Sequence, residues 1–467
     1  MATTNYLQQI LTYFRNMVLN AAGADRDLLE YIQDGDITAA INMMQDKDAE
    51  VDVALDEYNP QTHDVMRRAN KYRKGEDPYI TEKLPRCTQR YINEVELFFL
   101  LGNPIVWKKV SGDDEAYSMF MEFLKAQRFD ANMRKAKRLA GAETQAAKLY
   151  HVYRDDRDNS IQVRTVVMSR QTGYKLRPLF DQYGNLRAIA YGYTLTEKGK
   201  NVQHWDFQTA DFLFFCKKSV VGWEVETYEN PTKKINCIYY WQPKAWDGAE
   251  QRIKREEMLD SKVADTNNYF ADPIAAATAD VIQSLAGPDK IGKLIQLTGA
   301  NSKFEYVNPP QNSASRDAEK TDLHDSILFD TMTPDFSFEK IKGMGTLSGD
   351  AIRNAMILGY IKRENRKEVY EELVDREKNV ILAILKYMHP NLAEKFDELE
   401  ISFEFGEPFT DEKQKNWSSI AEVYQAGLCS LENAVSMLAL TDAPEEEVEK
   451  IRASKPQEVK KEPVTQE

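Results

Sequence analysis

A glycine-rich stretch, GMGTLSGDAIRNAM at residues 343–356, contains residue types that could cradle a phosphate. A P-loop needs a lysine directly after its last glycine, whereas Gly349 is followed by Asp350. A dinucleotide fingerprint needs a third glycine and a preceding strand, but Ser348 holds that position and the preceding pattern is helical. An aspartate at a helix start also opposes an anion there. The stretch therefore does not predict a phosphate site.

Other side chains that commonly carry catalysis or bind metals are scattered along the chain. No histidine has a second histidine or a cysteine three or four residues away, and there is no G-x-S-x-G or H-E-x-x-H motif. The pair His324-Asp325 resembles half of a metal-phosphohydrolase pair, but the remaining ligands are not evident, and we interpret His324 as part of a helix surface. The four cysteines show no C-x-x-C spacing, as is typical of a reducing cytosol. We predict no catalytic residue, no metal site and no cofactor.

Charge is abundant and unevenly distributed. The chain has 75 acidic and 61 basic residues, which gives a net charge of −14. Tight binding to DNA phosphates normally needs a basic surface, so the composition disfavours it but allows DNA to pass without being held. Residues 1–60 carry eleven acidic and three basic side chains, and residues 67–90 carry eight basic and three acidic ones. No apolar run approaches the ~18 residues of a membrane span, so we predict a soluble cytosolic protein.

Periodicity predicts an α+β fold. The N-terminal region is helical in pattern, and an apolar helix at 91–105 ends at Gly102, with a proline soon after. A further helix is predicted at 115–150. Between 151 and 243, six short β-branched and aromatic runs separated by turn residues predict one antiparallel sheet.

Helical periodicity returns in the second half. A long charged helix is predicted at 249–282, where Pro273 should kink it or end its first half. A second charged helix is predicted at 313–332. A third long helix begins at Ser348, whose hydroxyl can cap it, and runs to about Met388.

Three glycines interrupt this helical half. Gly343, Gly345 and Gly349 permit backbone angles that other residues avoid. They lie between two predicted helices, so we interpret them as a flexible loop that joins two rigid helices, with Ser348 and Gly349 at its hinge. Beyond the long helix, residues 399–405 predict one isolated strand.

The order of these elements resembles the portal proteins of long-tailed (siphovirus-type) double-stranded DNA bacteriophages. The T-P-D-F motif at 333–336 is similar to the turn that ends a stem helix in that family. The S-G-D-A motif at 348–351 is similar to the Ser-Gly-x-Ala that starts the family's long helix. The family's Leu-x-Gly-x-Pro-Ile pattern is matched at 100–105. The resemblance in order of elements covers about residues 65–450.

This resemblance implies a portal fold that assembles as a ring. Its expected parts are the wing at 1–247 with its β region at 151–243, a first stem helix at 248–282, the clip at 283–312, a second stem helix at 313–332, the tunnel loop at 333–347, the long wing helix at 348–389, a wing strand and helical crown at 390–455, and a disordered tail at 456–467.

The resemblance also implies a function without enzyme activity. A dodecameric ring at one capsid vertex would let the terminase package viral double-stranded DNA, would later let the DNA out, and would hold the tail or neck. Its partners would be further copies of the chain, DNA bound weakly and without sequence specificity, the terminase large subunit, the major capsid or scaffolding protein, and a head-completion adaptor. The protein would reside in the virion after assembly in the cytoplasm of the host bacterium, with no membrane contact.

Within the resemblance, the tunnel loop is the candidate site. The channel-facing residues are expected to be Asp335, Phe336, Lys340, Ile341, Lys342, Gly343 and Gly345. Lys340 and Lys342 would lie nearest the DNA, although a surface lysine is more often simply solvated. We also expect the charged stem helices, and the strand at 303–307, to pair between subunits.

Two alternatives stay open. One is a non-channel structural scaffold or adaptor protein of a phage particle, built from the same mixture of helices and sheet. The other is a nucleic-acid enzyme, for which the sequence offers no catalytic motif. A ring with a central hole would separate the portal from both.

Overall fold

A computed structural model describes most of the 467 residues. The described residues are 27–72, 79–155, 157–271, 275–278, 281–282, 297–298, 303–306, 313–337, 342, 354, 356–408, 412–438 and 444–454. The predicted tail, most of the predicted clip and most of the predicted tunnel loop lie outside these ranges.

Three short helices open the described chain: α1 (Leu28–Gln33), α2 (Ile37–Asn42) and α3 (Asp48–Tyr58). They confirm the N-terminal helical pattern as far as it is described. A capping box starts α1, because Asp27 accepts the Glu30 N–H at 2.9 Å and the Glu30 carboxylate reaches back to the Asp27 N–H. The apolar sides of α1 and α2 pack on the larger of the two main sheets.

Three longer helices contribute to the main hydrophobic core: α4 (Thr88–Leu101), α5 (Asp114–Ala126) and α6 (Phe129–Glu143). The predicted stop of α4 is confirmed, with Gly102 as its C-cap. Nine of the fourteen residues of α4 are buried, so this helix runs through the interior. That position makes it the element on which later parts of the chain can be anchored.

The helix predicted at 115–150 is confirmed as two helices, α5 and α6, as far as Glu143, and it is wrong beyond that residue. Arg128 and Thr144 adopt left-handed backbone angles, with φ of 49° and 67°, and each interrupts the helical hydrogen bonding. The residues from Gln145 onward form a strand in which the first six side chains are all buried. A strand buried on both faces lacks polar alternation, which is why its pattern was not distinguishable from a helix.

Eight strands make two antiparallel sheets in place of the one predicted. They are β2 (Gln145–Arg154), β3 (Ile161–Met168), β4 (Lys175–Phe180), β5 (Leu186–Glu197), β6 (Lys200–Thr209), β7 (Phe212–Lys218), β8 (Trp223–Glu229) and β9 (Cys237–Trp241). The smaller sheet has the order β3-β2-β9, and the larger has the order β4-β5-β6-β7-β8. All six predicted runs form strands, whereas β2 and β6 were missed. The two sheets pack face to face through an apolar cluster.

The strand predicted at 399–405 is not isolated. It forms β14 (Glu400–Glu404) and pairs antiparallel with β1 (Val106–Ser111), so Trp107 faces Phe403 across the pair. The expectation failed because β1 lies about 300 residues earlier in the chain, and its run VWKKVS carries too few apolar residues to indicate a strand.

The first charged helix is shorter than predicted. Helix α7 (Glu250–Ala271) ends two residues before Pro273 in the sequence, and residues 275–278 form strand β10. The helix predicted to continue to 282 is therefore wrong, since a proline cannot supply the N–H that an inner helical turn needs. Strand β11 (Val281–Ile282) follows.

The predicted strand at 303–307 is confirmed as β13 (Lys303–Tyr306), but its partner differs. It pairs antiparallel with β10 of the same chain, so the expected pairing between subunits is not needed to complete this strand pair. A second short pair joins β11 to β12 (Leu297–Thr298). The second charged helix, α8 (Ser313–Asp330), is close to its predicted bounds.

The helix predicted at 348–388 is interrupted at Met356. Helix α9 (Ile357–Met388) starts after Met356, which lies in a turn with φ −97° and ψ 9°. A helix running without a break from residue 348 is therefore wrong, and Ser348 itself lies outside the described residues. The C-terminal elements after α9 are α10 (Ala393–Asp397), β14, α11 (Glu412–Gln425), α12 (Leu431–Leu438) and α13 (Pro444–Ser454).

Candidate functional site

Only part of the predicted tunnel loop lies in the described structure. Asp335, Phe336 and Lys342 are described, and Lys342 is exposed. The other predicted site residues, which are Lys340, Ile341, Gly343, Gly345, Ser348 and Gly349, lie outside the described ranges. The structure describes the residues on either side of the segment 338–355. We call these the loop roots: residues 331–337 before the segment and residues 356–360 after it.

Helix α8 ends in a Schellman motif. Met332 adopts φ 49°, the Thr333 N–H donates to the Leu328 carbonyl at 2.8 Å, and the Met332 N–H donates to the Phe329 carbonyl at 3.0 Å. These bonds satisfy carbonyls that the end of a helix would otherwise leave unpaired. Pro334 follows directly and cannot continue a helix. The T-P-D-F motif thus has a local physical role, which is to end α8 sharply.

The Tyr91 hydroxyl of α4 binds the backbone of the first loop root. The Tyr91 hydroxyl donates to the Pro334 carbonyl at 2.7 Å and accepts the Phe336 N–H at 2.8 Å. Asp335, between these two residues, turns its carboxylate to accept the Ser337 N–H at 2.8 Å. Burial raises the pKa of Tyr91, so the hydroxyl keeps the proton that it donates.

Both loop roots meet on the same face of α4. The Phe336 ring lies 6.4 Å from the Phe99 ring, between centroids, and Met356 belongs to the same apolar cluster. Tyr360 packs edge-on against Phe99 at 5.6 Å. Gly359 permits this approach, because a Cβ atom there would overlap the Phe99 ring. The residues on either side of the segment 338–355 are therefore held at one place on α4.

A buried carboxylate fixes the start of α9 against α4. Glu96 Oε1 lies 2.5 Å from Lys137 Nζ of α6 and 3.0 Å from Arg366 Nε, and Glu96 Oε2 lies 3.2 Å from Lys362 Nζ. Burial alone would raise the pKa of Glu96, but these three cations hold that pKa well below its usual range. Burial lowers the pKa of Lys137 to about 8 despite the carboxylate beside it.

A second buried ion pair holds the middle of α9 against the smaller sheet. Glu377 Oε1 lies 2.5 Å from Lys148 Nζ of β2, and neither side chain is exposed. The hydroxyls of Tyr150 and Tyr240 donate to the same carboxylate. Removing one partner of such a pair would leave an uncompensated buried charge. Helix α9 is thus fixed at two points to the interior of the protein.

The two charged helices α7 and α8 pair with each other within one chain. Arg255 Nη2 lies 2.6 Å from Glu319 Oε1, and Lys320 Nζ lies 2.9 Å from Asp260 Oδ1. His324 of α8, predicted to lie on a helix surface, sits 3.7 Å from Glu256 through Nδ1. These stem charges therefore have partners within the same chain and do not need partners in a neighbouring subunit.

The basic stretch at 67–90 also has partners on α7. Arg68 Nη2 lies 2.6 Å from Asp265 Oδ2, and Arg86 lies 2.7 Å from both Glu256 and Asp260. Two of the eight basic residues in this stretch therefore pair with carboxylates on α7.

Sequence reasoning missed the two α4 residues that organise this site. Tyr91 was read as an ordinary member of an apolar helix. Glu96 lies four residues after Ile92 and four before Leu100, on the stripe that faces the core. A charged residue on a buried helical stripe needs a partner, and that signal was readable from spacing alone.

No metal-ligand cluster and no membrane-spanning helix occurs in the described residues. No group of three or more histidine, cysteine, aspartate or glutamate side chains in these ranges is arranged to hold a metal ion. None of the helices in the same ranges is long and apolar enough to cross a membrane.

Comparison with known proteins gives a family. Among solved structures, the chain is similar to one in the neck of a native gene transfer agent particle computed with C12 symmetry, with 11% identity, a TM-score of 0.41, and coverage of 76% of this chain and 91% of that chain. It is also similar to one in the neck of an empty particle computed with C6 symmetry, with 10% identity, a TM-score of 0.41, and coverage of 76% and 89%. These likenesses are too weak to bear on function.

Curated protein sequences give no match. Residues 38–461, however, match the family model that is described as "Phage portal protein, SPP1 Gp6-like". That range is most of the chain and includes both loop roots and all of α4, α7, α8 and α9. The chain therefore belongs to the SPP1 Gp6-like family of phage portal proteins.

Proposed function

We propose that this protein is the subunit of a dodecameric ring at one vertex of a phage capsid. The terminase would drive viral double-stranded DNA through the ring during packaging, and the DNA would leave by the same route. Family membership over residues 38–461 supports a portal role. The subunit would reside in the virion after assembly in the host bacterial cytoplasm, with the major capsid or scaffolding protein around it.

The observation that supports a channel-facing loop is that both loop roots pack on the same helix, α4. Phe336 and Met356 belong to one cluster on α4, so both ends of the segment 338–355 lie at one place. We propose that the segment projects from this place, that this projection is the tunnel loop and that it faces the DNA. Tyr91 holds the first root, and the Glu96 ion pairs with Lys362 and Arg366 hold the part of α9 that follows the second root.

Weak contact with DNA follows from the charges. Lys340 and Lys342 bring two positive charges per subunit to a chain whose net charge is −14. Repeated around a ring, these lysines would touch phosphates briefly, while the acidic remainder would prevent tight holding. Replacing both lysines with alanine should preserve ring assembly and alter DNA packaging or retention. Normal packaging and retention by that variant would show that the two lysines have no role in contacting the DNA.

The clip is the proposed contact for the terminase and later for the head-completion adaptor. Two short strand pairs, β10–β13 and β11–β12, bound the segment 283–296. Replacing residues 284–295 with a short glycine–serine linker keeps both pairs and removes the segment. We expect such a ring to assemble but fail to dock the adaptor. Docking at the normal level by an assembled ring would refute this role.

The alternative is a non-channel scaffold or adaptor protein of a phage particle. Negative-stain images of the purified full-length protein separate the two. We expect rings with twelve-fold symmetry and a central hole. A compact monomer, or an oligomer without a hole, would favour the scaffold or adaptor.

A further inference from the structure

A cleft of about 400 Å³ opens between the two main sheets. One wall is the C-terminal half of β2, and the other is formed by β6, β7 and the end of β8. Aromatic side chains dominate the lining, among them Tyr153, Phe215 and Tyr228. Clefts of this size, mostly apolar with a few polar groups, are the usual form of a binding site.

One wall of the cleft is an unpaired strand edge. Strand β9 pairs with β2 only along Gln145–Leu149, and its last contact is the Tyr150 N–H donating to the Asn236 carbonyl at 2.9 Å. Because the direction of the backbone N–H and C=O groups alternates along a strand, those groups of Val152 and Arg154 point to the same side of β2 as the Tyr150 N–H. No strand of the described residues pairs with that side of β2 beyond Tyr150. The opposite side stays paired with β3 as far as Arg154.

The other wall offers an unused polar atom. Gln208 is 3% exposed, lines the cleft, and its Oε1 atom has no hydrogen-bond partner. A buried acceptor without a donor costs free energy, which a bound N–H or O–H would recover. Arg154 and Glu229 also line the cleft, and the Arg154 guanidinium donates to the Tyr387 hydroxyl at 3.4 Å.

We propose that this cleft binds an extended segment of a partner protein, which adds a strand to β2 beside Tyr150–Arg154. The backbone of the segment would exchange hydrogen bonds with Val152, in the place where β9 has ended. One aromatic side chain with an N–H or O–H donor would enter between Tyr153 and Tyr228 and donate to Gln208. Binding at this cleft does not require the channel.

The charges and the strand edge decide between possible occupants. A single-stranded nucleic acid would need several cations along its backbone, whereas Arg154 is accompanied here by Glu229. A small aromatic molecule would fill the cavity but would leave the Val152 backbone without a partner. An extended peptide satisfies the edge, the cavity and the buried acceptor together.

The test is a titration of the full-length protein with a labelled peptide, followed by fluorescence anisotropy. The probe is a hexapeptide of alternating threonine and valine with one central tryptophan, carrying fluorescein. We expect saturable binding that Tyr228→Ala weakens by about tenfold or more, as is typical of an aromatic anchor. The matched control is Tyr183→Ala, which removes an exposed tyrosine from the turn between β4 and β5, outside the cleft.

Three further measurements decide the mode of binding. A peptide with N-methyl groups at alternate residues keeps its side chains but loses strand hydrogen bonds, and it should bind at least about tenfold more weakly. Gln208→Leu should remove the preference for tryptophan over phenylalanine in the probe. Indole and a thymidine oligonucleotide should not displace the peptide. Equal binding of the methylated peptide, displacement by either competitor, or no peptide binding at all would overturn the proposal.

Discussion

Replacing Tyr91 with phenylalanine isolates the hydroxyl that holds the first loop root. The ring stays, so its packing on α4 is kept, but the Pro334 carbonyl loses its donor and the Phe336 N–H loses its acceptor. Each hydrogen bond of this kind contributes about 0.5–1.5 kcal/mol net. Two of them amount to roughly 1–3 kcal/mol of local stability at this root.

Hydrogen exchange of the Phe336 amide reports this loss directly. At about 1.4 kcal/mol per factor of ten, the loss predicts exchange faster by roughly fivefold to a hundredfold. Mass spectrometry of peptides that cover residues 332–337 would measure it. The control is Tyr117→Phe, because the Tyr117 hydroxyl donates to the Trp107 carbonyl at 3.1 Å, far from the loop roots. Exchange at Phe336 that is unchanged in Tyr91→Phe would refute the anchoring role of this hydroxyl.

Three further changes test the surrounding interior. Glu96→Gln leaves three cations without their carboxylate and should lower the free energy of unfolding by about 3–5 kcal/mol in chemical denaturation. The control Glu94→Gln loses only an exposed pair with Arg138 and should lower it by under about 1 kcal/mol. Equal losses in the two variants would contradict the role of Glu96 in holding these cations. Gly359→Ala forces a Cβ atom onto the Phe99 ring and should cost about 1–3 kcal/mol, so an unchanged melting temperature would exclude the close approach. Burial raises the pKa of Asp206 to about 7, although the Tyr193 hydroxyl, 3.1 Å away, acts to lower it. Between about pH 4 and 7 the folded state therefore binds a proton that the unfolded state has released. The free energy of unfolding should fall as the pH rises from about 4 to 7. Asp206→Asn should remove a slope of up to about 1.4 kcal/mol per pH unit in that window, and parallel stability curves for the two proteins would show that Asp206 does not titrate there.

The sequence was most informative where local chemistry decides structure. Gly102 ended α4, the six aromatic and β-branched runs became strands, and α8 lay within two residues of its prediction. The T-P-D-F motif located the end of α8 because a proline and a tight turn act within a few residues. Such signals do not depend on the rest of the fold.

The failures came from elements whose partners are distant in sequence. Strand β2 is buried on both faces and includes Lys148, whose charge is matched only by Glu377 of α9. Strand β1 is stable because β14 pairs with it, almost 300 residues later. The role of Tyr91 likewise needs Pro334 and Phe336 beside it, which no local pattern brings together.

The central claim is that residues 338–355 line the channel of a ring, and an electron cryomicroscopy reconstruction of the purified assembly tests it most directly. We expect a closed ring with a central hole, in which this segment reaches the inner wall and Lys342 lies nearer the axis than helix α8 does. A ring with the segment on its outer surface, or particles without a central channel, would contradict the account.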